Sequence, residues 1–523
     1  MFASALGVFV AVGLISIVFV FTLIGIAASV GSTPNYTPKS NTVYKLTLEG
    51  NLSDNTEENP IAMLMGETDK SLSLKDILSS IQTAKENKNI KGIYIEAKGL
   101  STGSASLEAI RRALNDFKES GKFIVAYSDN YTQGCYYLCS VADKVFLNPQ
   151  GTLGLVGMAS QTMFYKDLLK KVGIEMMIFK VGTYKGAVEP FMLDKLSDAN
   201  REQIQSYIST IWDNVTNGIA ESRKIPVADI NNFANQGYAF AAAEKAVECG
   251  LIDELKYRPE AEEFVKELAG QSDKRLQTAS LSNMKSIKTI SREKADRIAI
   301  LYAEGEIKPE TPSSPYNTEQ AITEKVASEL IKLKNDENVK AVVFRVNSPG
   351  GSAFVSEQIW RQVIELKKVK PIVVSMGDVA ASGGYYISCA ASKIVAEPNT
   401  LTGSIGIFGM VPNVKGLTDK IGLTYDVVKT NKYSDFGNIM RPFNEGEKAL
   451  LQMTITEGYN TFIGRCAEGR HMTKEAIEKI AEGRVWTGEA AKELGLVDEL
   501  GGIDKALDIA VAKADIENYT VIS

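Results

Sequence analysis

The stretch GDVAASGGYYISCAASKIVAEPNTLTGSIG, residues 377–406, runs in step with the stretch SDNYTQGCYYLCSVADKVFLNPQGTLGLVG, residues 128–157. The separation is a constant 249 positions: Tyr136 and Tyr137 fall on Tyr385 and Tyr386, and Pro149 falls on Pro398. The match reaches upstream to Lys91 and Lys340. It reaches downstream, at a separation of 245, to Gly250 and Gly495 inside AAAEKAVECGLIDEL and WTGEAAKELGLVDEL. Self-similarity at a fixed spacing marks a repeated structural unit, so the chain is a tandem duplication.

Each copy reads as strand, helix, strand, helix, strand. In the first, KGIYIEA (91–97) is rich in β-branched and aromatic residues, Leu107, Ile110, Leu114 and Phe117 share one helical face, and FIVAYS (123–128) and KVFLNP (144–149) follow as strands. Strands alternating with helices form parallel βαβ units, which makes the fold class α/β. The polar, irregular run from Gly270 to Lys294 reads as a linker. The expected organisation is a segment 1–31, a first domain 41–269, a linker 270–294 and a second domain 295–523.

At 523 residues, 44% hydrophobic and 23% charged, the chain has ordinary globular composition and length for large cores. A formal net charge of -6 with no cluster of Lys and Arg argues against nucleic acid as a partner. The first charged residue is Lys39, and Ala3 to Val30 is apolar apart from Ser, Thr and Gly, long enough to cross a hydrocarbon core as a helix. A transmembrane anchor is expected there. A cleaved secretory signal is the competing reading, but the run is long for one and lacks a basic n-region. With no basic flank the positive-inside rule says little about orientation, and a sequence truncated at its start would look the same. Five cysteines without metal-ligand spacing read as buried thiols, and a single histidine, His471, excludes a zinc site built on several imidazoles.

The duplication separates framework from chemistry, because residues that build the fold recur while site residues need not. Opposite Ser382 stands Gln133, opposite NSPGG (Asn347 to Gly351) stands KGLST (Lys98 to Thr102), and opposite Ser404 stands Leu155. Ser382 is thus a candidate nucleophile of the second copy alone. Glycines after a strand bring backbone N–H groups close to a substrate, so Gly350 and Gly351 supply one candidate oxyanion donor and Gly383 a second. Taken singly, SPGG is a plain turn and ASGG a tight helix start.

The serine needs a base. His471 lies in EGRHMTKEAIEKI, a stretch that reads as helical with its cap at Thr473, away from the strand ends. The other chemistry is a buried lysine, neutral because desolvation lowers its pKa. The separation of 249 holds through Tyr184 and Tyr433 and sets Lys185 opposite Ser434. The first copy has a lysine and no serine, the second a serine and no lysine there; Lys432 is the rival base.

RVNSPGGSA, DVAASGGYYIS, LTGSIGIFG and VGTYKGAVEPF, in a chain with an apolar N-terminal segment, resemble the long, duplicated form of bacterial signal peptide peptidase A, also called protease IV. The resemblance runs from about residue 41 to the C-terminus. It implies a Clp-protease/crotonase-like fold in each half and a single-pass anchor in the bacterial inner membrane with the body extracytoplasmic. It implies a serine endopeptidase without cofactor or metal, in which Ser382 is nucleophile, Lys185 general base and Ser404 a residue that orients the lysine. The partners it implies are peptides, signal peptides above all, membrane lipid at the anchor, and further copies of the chain in a ring-like homo-oligomer such as a tetramer. The uncharged start departs from the family pattern. Two other classes compete: a crotonase-like acyl-CoA enzyme, against which no Asp or Glu lies within SPGG or AASGGYY, and a non-catalytic membrane scaffold, which has no use for complementary halves.

Overall fold

Parallel strands covered on both faces have no solvent side, so they read as unbroken apolar runs. Val342, Val343, Phe344 and Val346 form such a run, and all are fully buried. The computed structural model describes residues 35–56, 71–272, 275–287, 295–310 and 321–523, together with Gly13 and Ser16. The apolar run from Ala3 to Val30 lies otherwise outside the described residues. Among the described residues no helix is long and apolar enough to cross a membrane.

The described chain divides into two compact units. The first comprises Met1–Thr102, Arg112–Gly154 and Tyr238–Ser291. Its sheet is parallel throughout, with β1 (Thr42–Ser53), β2 (Ile90–Ser101), β3 (Phe123–Thr132) and β4 (Lys144–Gly154) side by side in that order. Short strands Ser71–Ser73 and Glu254–Leu255 extend it at β1 and β4. Val43, Tyr94, Val125, Tyr127 and Phe146 pack on Ala261 and Val265 of the helix Arg258–Leu268. Within the stretch expected as irregular linker, Thr278–Ala279 adds a parallel strand to β1, and Leu281–Lys285 forms a helix. Ser280 and Asn283 close that helix start in a reciprocal capping box, which satisfies amides a helix end otherwise leaves unpaired.

The second unit comprises Gly103–Arg111, Leu155–Gly237 and Arg292–Ser523. In chain order it holds α1 (Lys166–Val172), β5 (Glu175–Lys180), α2 (Asp198–Arg223), β6 (Asp296–Glu304), β7 (Val339–Ser348), β8 (Ile372–Ala381), α3 (Gly383–Ser388), β9 (Leu401–Gly403), β10 (Phe408–Asn413), α4 (Lys415–Lys420), α5 (Glu445–Arg470) and β11 (Val485–Thr487). The main sheet runs β11-β9-β8-β7-β6, with Tyr519–Ile522 beyond β6; β11 is antiparallel to β9 and the remaining neighbours are parallel. The β7–β8 register slips after Val346↔Met376, to Ser348↔Ala380. The irregularity lies at the C-terminal edge of the sheet, the edge at which parallel sheets hold their ligands. Separately, β5 and β10 form a two-stranded antiparallel ribbon, from Phe408↔Lys180 to Asn413↔Glu175. Met177 and Phe179 of that ribbon pack with Phe443 and Ile455.

Candidate active site

Ser382 occupies the single residue between the end of β8 and the start of α3. Its φ of 55° and ψ of −117° lie where side-chain-bearing residues are rarely found, a strain of about 1–3 kcal/mol. The turn is held from both sides: the Ser382 N–H donates to Gly403 O at 2.9 Å, and its carbonyl accepts from Tyr386 N–H at 2.9 Å. A sharp strand-to-helix turn of this kind lifts the hydroxyl clear of the sheet edge. The adjacent glycines are required by packing. A Cβ on Gly384 would stand 2.6 Å from Ser348 O, and one on Gly383 would stand 2.8 Å from Ser356 Oγ.

The loop after β7 closes against this turn. Gly350 and Gly351 have φ of 100° and 149°, and a Cβ on Gly350 would lie 2.6 Å from Gly383 N and 2.8 Å from Ser382 Cβ. Ile307 N–H donates to Gly350 O at 2.9 Å and Ile307 O accepts from Ser352 N–H at 2.8 Å. That leaves the Gly351 amide on the other side of the bridge. Neither it nor the Gly383 amide, in the first turn of α3, has an acceptor among the described residues. Helix-start amides without intrahelical partners are ready-made anion donors.

Lys185 comes from the first copy of the repeat and lies in the same compact unit as Ser382. Its Nζ stands 3.0 Å from Ser382 Oγ, 3.0 Å from Ser404 O and 3.0 Å from Ser404 Oγ. The side chain is buried, and desolvation alone pushes its pKa down to about 8. A neutral amine has two hydrogens and one lone pair. The two hydrogens match the two Ser404 oxygens, and the lone pair matches the Ser382 hydroxyl hydrogen. Ser404, itself at φ 48°, is fixed by its N–H donating to Arg484 O at 2.7 Å.

The lysine loop is pinned by residues that the sequence did not single out. A Cβ on Gly483 would come 2.7 Å from Lys185 Cβ, so only glycine lets the two backbones meet. Tyr184 N–H donates to Glu482 O at 3.0 Å. Gln203, on α2, donates from Nε2 to Tyr184 O at 3.0 Å and accepts at Oε1 from Val485 N–H at 3.0 Å. Behind it, Gln203 donates to Asn200 Oδ1 at 2.7 Å, and Asn200 Nδ2 donates to Glu189 Oε2 at 3.0 Å. Glu189 also accepts from the N–H and hydroxyl of Ser197, the cap of α2. Glu189, Asn200 and Gln203 are all buried; uncompensated, such groups would cost about 1–3 kcal/mol each. Glu189 lies within the VGTYKGAVEPF motif, while Asn200 and Gln203 leave no trace in the sequence beyond a pair of amides three residues apart on a helix.

The other candidates fall elsewhere. His471 is exposed and ends α5 in the left-handed conformation. Lys432 is exposed with its Nζ 5.0 Å from the Tyr433 ring centre, and Ser434 donates to Asn431 O at 3.0 Å. None of the three lines the cavity into which Ser382, Lys185 and Ser404 open. That cavity measures about 1130 Å³, and its apolar walls include Ile204, Tyr386, Ile407, Phe408, Ile455 and Phe462.

Comparison with known proteins bears on what this arrangement does. Residues 116–272 and 364–517 match Peptidase family S49, and residues 296–402 match the Clp protease family. Protease 4 of Salmonella typhi is 38% identical over 458 residues, 86% of this chain and 73% of that protein. Protease 4 of Haemophilus influenzae is 34% identical over 517 residues, 94% of this chain and 82% of that protein. The chloroplastic serine protease SPPA of Arabidopsis thaliana is 34% identical over 491 residues, 91% of this chain and 70% of that protein.

Proposed function

We propose, from the premise that this chain belongs to peptidase family S49 and is a serine protease, that Ser382 is its nucleophile and Lys185 its general base. The observation that carries this reading is the contact of the buried Lys185 amine with Ser382 Oγ and with both Ser404 oxygens, each at 3.0 Å. Ser382 Oγ attacks the peptide carbonyl carbon as its proton passes to the Lys185 lone pair. The Gly351 and Gly383 amides receive the charge on the carbonyl oxygen, and the Lys185 ammonium then protonates the departing amine. Water enters and attacks the acyl carbon as its proton passes to Lys185; the bond to Ser382 Oγ then breaks, and the Lys185 ammonium returns that proton to the serine oxygen, which restores the hydroxyl and the neutral amine. Ser404 holds the amine between these transfers.

The substrates are extended apolar peptides, signal peptides remaining after secretion among them. A cavity walled by Ile, Phe and Tyr supports that class, since burial of apolar side chains contributes about 1.5–3 kcal/mol each. The protein is held in the bacterial inner membrane by one N-terminal helix, with its body extracytoplasmic, and works as a homo-oligomer of the tetramer kind. The uncharged run before Lys39 supports the anchor.

The test is hydrolysis of an internally quenched apolar peptide by the full chain, with a serine-directed phosphonate as covalent probe. Label on Ser382 that disappears in Ser382→Ala, with hydrolysis lost in parallel, is the expected result. Unchanged hydrolysis in Ser382→Ala or Lys185→Ala would sink the assignment.

A further inference from the structure

The ribbon β5–β10 joins the two copies of the repeat, since β5 belongs to the first and β10 to the second. Its counterparts follow from the repeat. Moved by 249 positions, β5 falls on residues 424–429 (TYDVVK) and β10 on residues 159–164 (ASQTMF). The register is anchored by structure as well as by sequence. The helix α1 begins at Lys166 and α4 at Lys415, and each is followed by a left-handed glycine, Gly173 and Gly422.

The counterparts do not pair with each other or with any other strand among the described residues. Residues 424–429 are all exposed, and of residues 159–164 only Thr162 and Phe164 are half-buried, whereas β5 buries Met177 and Phe179. Phe179 of β5 is 7% exposed; Val428, in the same position of the second copy, is 97% exposed. Met163 and Tyr425, which the same register would set opposite each other, are 69% and 50% exposed. An unpaired edge with apolar side chains is a template for another chain.

We propose that residues 424–429 of one copy of this chain pair antiparallel with residues 159–164 of a second copy, in the register of β5 with β10. Ser160 then faces Val428, and Gln161 faces Val427. The occupant is a second copy because the complementary segment is the one that the chain itself carries, and because the same joint is already closed once inside each chain. The two faces of the contact differ, so it is head-to-tail: every copy offers one segment of each kind, and the chains close into a ring or extend until they do. This rests on the homo-oligomer part of the proposed function and on none of its catalytic roles.

The experiment uses the full chain in detergent, in a Ser382→Ala background so that it does not depend on activity. Chains carrying Ser160→Cys are mixed with chains carrying Val428→Cys and oxidised. A covalent dimer that needs both substitutions is expected, with at least several-fold less from Ser160→Cys and Asp426→Cys, two positions out of register. The chain without added cysteines, oxidised in parallel, sets the background from its own five thiols. Val428→Lys and Gln161→Pro, both at exposed positions, should each shift sedimentation from multimer to monomer. Multimers that persist in both variants, or that give no dimer band, overturn the strand pairing but leave oligomerisation standing. A chain that sediments as a monomer without any substitution overturns both. A dimer band from a chain whose unsubstituted form has no peptidase activity upholds the interface while the catalytic reading fails.

Discussion

Residues 183–188 and 432–437 hold the same place in the two copies of the repeat, and in both a tyrosine, Tyr184 or Tyr433, precedes the decisive position. In the first, Lys185 and Val188 are buried and the backbone is tied to Glu482, Gln203 and Gly483. In the second, residues 431–434 are all exposed, and the loop is held by ion pairs at Asp435, to Arg441 at 2.8 Å and to Lys429. Those cations hold the Asp435 carboxyl well below the usual carboxylate range, whereas burial lowers the Lys185 ammonium. A loop fixed by surface ion pairs leaves its lysine, Lys432, in water. A loop fixed by buried hydrogen bonds can strip its lysine of water, and only that lysine is of use as a base.

The strongest way to break this contrast is to remove the buried amine while keeping its volume. Lys185→Met should lower kcat/KM by at least about 10³-fold, as removal of one member of a catalytic unit does, and Ser382→Ala should match it in peptide hydrolysis. Lys185→Met should also raise stability. The folded pKa of about 8 lies below the lysine's unfolded value, so bringing the charge into the fold costs up to about 3 kcal/mol below pH 8. For the unsubstituted protein the unfolded state binds more protons between those two values, and stability rises with pH across that window. Thermal unfolding reads both effects; a destabilised Lys185→Met would contradict them.

Next in size is the pH profile. A base that titrates near 8 makes kcat/KM climb about tenfold per pH unit below that point and level off above it. A flat profile between pH 6 and 9 would mean that the lysine carries no functional proton. Gln203→Ala, which frees the lysine loop from Val485, should lower kcat by about ten- to a hundredfold, the effect of a misplacement near 1 Å. A change in KM alone would show that Gln203 shapes the cavity instead of placing the amine. Smallest of all, Lys432→Ala and Ser434→Lys in the exposed loop should leave kcat/KM within about twofold, as substitutions away from buried features usually do.

The sequence was informative wherever the two copies could be compared. Equal residues such as Tyr136 and Tyr385 proved to be core, each with its hydroxyl donating to a carbonyl of the distant matching segment, Leu251 O at 2.6 Å and Leu496 O at 2.9 Å. Unequal residues, Ser382 against Gln133 and Ser404 against Leu155, marked the candidate site. What stayed hidden has no local signature. Gln203 and Asn200 look like any polar pair on a helix, and Gly483, left-handed at φ 82°, looks like any turn glycine. The pairing of β5 with β10 was also illegible, because EMMIFK has the composition of a strand but names no partner 228 positions away (408 minus 180).

The separation between Lys185 and Ser382 sets a clock. The two residues stand 197 positions apart, and a ribosome adding about 5–20 residues per second needs roughly 10–40 s to cover that distance. Throughout that interval the lysine has neither β10 nor Gly483 to bury it, so its amine stays hydrated and charged. The Ser382 turn likewise has no Gly403 carbonyl to hold it when it first emerges. On the proposed roles of Lys185 and Ser382, each half is inert while it is being made, and the peptidase is latent until its own chain is nearly finished.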